Sequence, residues 1–129
     1  MTGESGLPRE LESLIQRALG TMLHVELLLL LQRTAPMPWS VQSAATELRT
    51  TPLLVEAVFA DLQAANLADP AVGRSPTAWS FDIRDEAAVA ATMQLREAYE
   101  RRPVTLVKAL YQRPASSAQA FADAFRLRK

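Results

Sequence analysis

A chain of 129 residues with 49% apolar and 22% charged side chains is long enough to bury one hydrophobic core and too apolar to stay unfolded. Its 14 basic and 14 acidic side chains cancel, which removes any global pull toward nucleic acid or an anionic membrane. The absence of cysteine excludes disulfides, thiolate nucleophiles and Cys-based zinc sites, and the single histidine, His24, excludes a multi-histidine metal site within one chain.

From Pro8 to about Gln32 the pattern is helical. Leu11, Leu14, Ile15, Ala18, Leu19 and Met22 recur at helical spacing, with Pro8 suited to the first turn. Gly20-Thr21 marks a bend or a division. Beyond it stand five consecutive leucines, Leu27 to Leu31, so this helix must be covered on several sides. Ala35-Pro36-Met37-Pro38 ends it and begins a short extended piece, too rich in proline for a long central strand.

Ser40 is a good N-cap for a short helix carrying Val41, Ala44, Ala45 and Leu48 on one face. Thr51 is the next N-cap and Pro52 the first helical residue, and Val55, Val58, Phe59 and Leu62 form the inner stripe of the helix that follows. Leu67-Ala68 can make a short strand. Residues 69–76 hold two prolines and a glycine and read as a turn, and Trp79, Phe81 and Ile83 then alternate with polar residues as a half-buried strand. Asp85 caps a helix running to about Arg101, with Val89, Met93, Leu95 and Tyr99 among its apolar positions. Pro103 opens another with Val104, Val107, Leu110 and Tyr111, and Pro114 stops it. Ser116 or Ser117 caps a last helix with Ala118, Phe121, Ala122 and Phe125 on one face.

Charge is unevenly spread along these elements. Residues 1–95 hold six basic and eleven acidic side chains, whereas residues 96–129 hold eight basic and three acidic. Either the helix faces are solvated and of opposite sign, or a basic C-terminal segment meets phosphate or an acidic partner. The N-terminus lacks the pattern of a signal peptide, and the most apolar run, Met22 to Leu31, is too short to cross a bilayer. The expected address is the cytoplasm, without membrane insertion.

The run Trp39-Ser40-Val41, Ala44-Ala45, Glu47-Leu48, Thr51-Pro52, Val55, Phe59, Leu62 and Ala65-Asn66-Leu67 resembles the winged helix-turn-helix of bacterial transcription regulators. The likeness covers about Met22 to Ile83. Farther on, Tyr99 to Val104 and Phe121 to Arg126 resemble the tail of uncharacterised bacterial winged-helix proteins. The resemblance implies a mainly α fold with a small β-hairpin wing, a long N-terminal helix and additional C-terminal helices. We expect a single domain over 1–129, with the N-terminal helix at 8–33, helix-turn-helix and wing at 39–83, and C-terminal helices at 85–128.

In such domains the second short helix lies in the major groove, and its outward side chains read bases. Those positions here are Thr51, Leu53, Leu54, Glu56, Ala57, Ala60 and Asp61, with Gln63 near the end. No Lys or Arg stands between Arg49 and Arg74, while Glu56 and Asp61 bring the sign of phosphate to the same face. DNA contact must therefore draw on Arg33, Arg49, Thr51 and Arg74, which position a protein on the backbone and specify little sequence. The alternative is a protein partner docked on Leu53, Leu54, Glu56, Ala57 and Ala60, an apolar surface with an acidic border.

His24 has no ligand set and reads as a packed or hydrogen-bonded residue, with titration near neutrality as its other use. Trp39, Trp79 and Phe81 read as anchors of the hairpin before they read as a stacking surface. Arg101 and Arg102 have the spacing to pair with Glu97 and Glu100. No phosphate loop, nucleophile elbow or carboxylate cleft is visible, so the sequence points to a binding protein and not an enzyme, with no cofactor and no metal. The apolar content of the terminal helices leads us to expect a homodimer.

Overall fold

The structure is a computed structural model that describes residues 7–70, 78–82 and 84–111. Among these residues the element order is α1 (Arg9–Ala18), α2 (Met22–Thr34), β1 (Trp39–Ser40), α3 (Val41–Leu48), α4 (Pro52–Ala64), β2 (Ala68–Pro70), β3 (Ala78–Phe81), α5 (Glu86–Arg101) and α6 (Pro103–Tyr111). The last helix expected from the sequence lies outside the described residues.

The N-terminal pattern divides where the sequence marks a break. Leu19 leaves the α region, Thr21 is extended, and its hydroxyl accepts from the His24 amide to start α2. The axes of α1 and α2 bend by 114° at this elbow. α1 buries Leu11, Leu14 and Ile15, and α2 buries Val25 and all five leucines from Leu27 to Leu31. The all-round apolar character of α2 is satisfied within the chain, because α3, α4, α5 and β3 all pack on it. No single helix among the described residues is long and apolar enough to cross a membrane.

The sheet is antiparallel in the order β1-β3-β2. β2 pairs with β3 through Ala68 opposite Phe81, which forms the hairpin expected from the alternation. The piece before α3 adds a third strand, with Trp39 opposite Trp79. Its two-residue length suits the edge position that the neighbouring prolines impose. Trp79 stacks on Phe59 of α4 at a centroid distance of 4.5 Å and an interplanar angle of 9°. The Trp39 indole donates to Thr34 Oγ1 at 2.9 Å. Both tryptophans therefore fasten the sheet to the helices, as the hairpin reading expects.

The C-terminal helices turn only some of their apolar positions inward. α5 buries Ala88, Ala91, Thr92, Leu95 and Ala98, while Met93 and Tyr99 are exposed. Small residues let α5 lie close to α1 and α2, and the larger Met93 and Tyr99 fall off that stripe. On α6, Leu106 and Leu110 are inside, whereas Val104, Val107 and Tyr111 face outward. Glu100 pairs with Arg96 at 3.4 Å, one turn before it.

Candidate nucleic-acid interface

α3 and α4 meet through a tight turn built by local hydrogen bonds. Ser40 and Ser43 form a reciprocal capping box at the start of α3. At its end Arg49 adopts the left-handed conformation, with φ 56° and ψ 48°. The Thr50 amide then donates to the Ala45 carbonyl at 3.0 Å, which closes the helix. Thr51 Oγ1 accepts from the Leu54 amide at 3.4 Å, and Pro52 follows in the first turn of α4. Val55, Val58, Phe59 and Leu62 face the core as expected.

The opposite side of α4 is open. Leu53 is 77% exposed and Leu54 is 52% exposed. Glu56, Ala57 and Ala60 are exposed beside them. Asp61 behaves differently. Its Oδ2 accepts from His24 Nε2 at 2.9 Å, and His24 Nδ1 meets Thr21 Oγ1 at 2.8 Å. One of the two acids expected to oppose phosphate is thus turned to the flank of α4, where it holds the start of α2. Glu56 remains on the open face.

The arginines expected to approach DNA are unequally free. Arg33, near the end of α2, pairs with Glu47 of α3 at 3.9 Å, both side chains being half exposed. This contact brings Arg33 to within two residues of Arg49 in α3 and its turn. Arg49 and Thr51 are exposed at the turn itself. Arg33 thus meets the end of α3, Arg49 and Thr51 lie in the turn that follows, and Arg74 lies outside the described residues.

Two further arginines matter and were not singled out from the sequence. Arg84 donates through its main chain, Nε and Nη2 to the carboxylate of Asp82, with distances of 3.0, 3.0 and 2.6 Å. It also reaches Asp69 at 3.7 Å. Asp82 is buried, and the Arg84 guanidinium holds its carboxyl below the usual aspartate range against the opposing effect of burial. The Asp82 amide donates to the Leu67 carbonyl at 3.1 Å, so the cluster ties the exit of α4 to the end of β3. Arg17 of α1 donates Nη1 to the Ala65 carbonyl at 3.2 Å, at the C-terminal end of α4. The signal for Arg84 was its i,i+2 spacing from Asp82; for Arg17 the sequence carries none, because the partner is a main-chain atom 48 residues away.

Beside Arg17, a cavity of about 500 Å³ opens between the α1–α2 elbow and the end of α4, with His24 and Asp61 in its wall. Among the described residues no group of three or more His, Cys, Asp or Glu side chains could hold a metal ion.

No protein-family model matches the sequence, and no curated protein does either. Among solved structures the chain is similar to a point-mutant form of Lactococcus lactis ZitR, with a TM-score of 0.51 and 16% identity over 83% of this chain and 71% of that one. Wild-type ZitR in complex with DNA gives a TM-score of 0.50 and 16% identity, with the same 83% and 71% coverage. RV1404 from Mycobacterium tuberculosis gives a TM-score of 0.49 and 20% identity over 81% of this chain and 72% of that one. The likeness is one of fold: the chain is a winged helix-turn-helix protein with a small antiparallel sheet.

Proposed function

We propose that this chain binds DNA in the cytoplasm as a homodimer, as a transcription regulator of low sequence specificity. Arg33, Arg49 and Thr51, with Arg74, contact the phosphate backbone. The observation that supports it is that Arg33 meets the end of α3, with Arg49 and Thr51 in the exposed turn that follows, in a winged helix-turn-helix. An α4 face without cations leaves little for base reading, which is why specificity is low. The exposed Met93, Tyr99, Val104, Val107 and Tyr111 on α5 and α6 supply the apolar surface for the second subunit. The chain is a binding protein in this reading and carries out no catalysis.

Binding to mixed-sequence DNA across a salt series tests it. Three arginines per subunit predict a slope of log K against log salt of roughly −5 for a dimer. Absence of binding at about 50 mM salt overturns the reading. A monomeric mass by light scattering at micromolar concentration overturns the dimer.

The exposure of Leu53 and Leu54 beside Glu56 favours a second reading, in which α4 docks on a protein partner. Under it the wild-type chain ignores DNA even at low salt. Leu53→Asp then abolishes the complex with whichever protein crosslinks to α4, and an unchanged complex counts against it.

A further inference from the structure

The lining of the cavity at the α1–α2 elbow holds two groups of opposite charge. One is the guanidinium of Arg17, which spends one of its N–H groups on the Ala65 carbonyl. The other is the carboxylate of Asp61, which gives only Oδ2 to His24. Among the described residues no carboxylate pairs with Arg17. A guanidinium with spare donors in a fixed fork matches a planar carboxylate, and a carboxylate with a spare oxygen matches an ammonium. Both groups are set in place by neighbours in the cavity wall: Arg17 by the Ala65 carbonyl, and Asp61 by the imidazole that Thr21 orients. Ala18 and Ala64 add apolar surface to the lining.

A volume of about 500 Å³ accommodates a compact ligand with room for water, and it falls within the range of small-molecule pockets. We infer that this cavity binds a small zwitterion of the α-amino acid class. Its carboxylate lies on Arg17, its ammonium on Asp61, and its side chain against Ala18 and Ala64. A ligand with only one charge leaves the other group unmatched and binds more weakly. The inference is independent of DNA binding, because the ligand meets none of the residues assigned to phosphate contact.

The experiment is isothermal titration calorimetry of the full chain, without DNA, against the standard amino acids and their N-acetylated and C-amidated forms. At least one free amino acid is expected to bind, and blocking either end weakens it about tenfold or more, as loss of a hydrogen bond to a charged group implies. In Arg17→Gln the amidated and free forms become equivalent. In Asp61→Asn the acetylated and free forms become equivalent. Absence of heat with every free amino acid overturns the inference, and so does equal binding of free and blocked forms to the wild-type chain. That second comparison needs no variant, so it holds even if a substitution disturbs folding.

Discussion

The two ends of α4 are held in different ways. At the C-terminal end three polar ties from outside the helix converge: His24 on Asp61, Arg17 on the Ala65 carbonyl, and the Asp82 amide on the Leu67 carbonyl. At the N-terminal end the turn holds itself, through the Thr51 cap and the left-handed Arg49, and the leucines that follow are bare. A helix fixed at one end by distant side chains and left open at the other presents its open end outward on a rigid base. This asymmetry gives the acids of α4 different places: Asp61 belongs to the base, and Glu56 to the open face.

Phe59 serves both ends at once, since it is fully buried and carries the stacked Trp79. Phe59→Ala is expected to cost about 3–5 kcal/mol, read as a lower denaturant midpoint in urea. A loss below about 1 kcal/mol means that the sheet does not lean on α4. At the anchored end the Asp82–Arg84 pair makes stability depend on pH. The Asp82 carboxyl is lowered first by the side-chain hydrogen bonds from Arg84, so its contribution is fully present above the ordinary aspartate value of about 4. It fades as pH falls through the lowered native value. Asp82→Asn is expected to flatten the melting temperature over that acidic window, and an unchanged profile removes the pair from the anchor.

Asp61→Ala leaves the nearly buried His24 Nε2 without its acceptor. Because the Asp61 side chain is 61% exposed, the loss is about 1 kcal/mol and not the larger penalty of a buried pair. If the anchored end is only structural, this variant melts earlier and its DNA affinity does not fall, since no phosphate contact is removed. A gain in affinity instead indicates that the Asp61 charge reaches phosphate after all.

Most of the fold was legible because local rules and burial agree. Ser40, Thr51 and Asp85 cap the helices that the sequence assigns to them, and the period-2 pattern of Trp79 and Phe81 marks a strand. What the sequence could not convey was pairing across distance. His24 and Asp61 are 37 residues apart and neither spacing nor type singles out the other. The inward face of α5 is not set by hydrophobicity alone: Met93 and Tyr99 are apolar and exposed, while close packing against α1 and α2 selects the small Ala88, Ala91 and Ala98 beside Leu95. For the interface, sequence located the arginines but not their engagement, so Arg33 looked as free as Arg49 until Glu47 was seen beside it.

The smallest expected effect separates stability from binding at the open end. Arg49 and Asn66 close α3 and α4 in the same way, each with positive φ, at 56° and 62°. Asparagine enters that conformation readily, whereas arginine carries a Cβ that crowds the following carbonyl. Arg49→Gly removes this crowding and is expected to stabilise the chain by about 0.5–1 kcal/mol, a shift of a few degrees in melting temperature. Under the proposed function the same change deletes a phosphate contact, so DNA affinity is expected to fall while stability rises. The salt slope shrinks by about one unit per subunit. If Arg49→Gly raises stability and leaves the salt slope untouched, the turn does not touch phosphate, and the bare leucines of α4 become the surface that explains the open end.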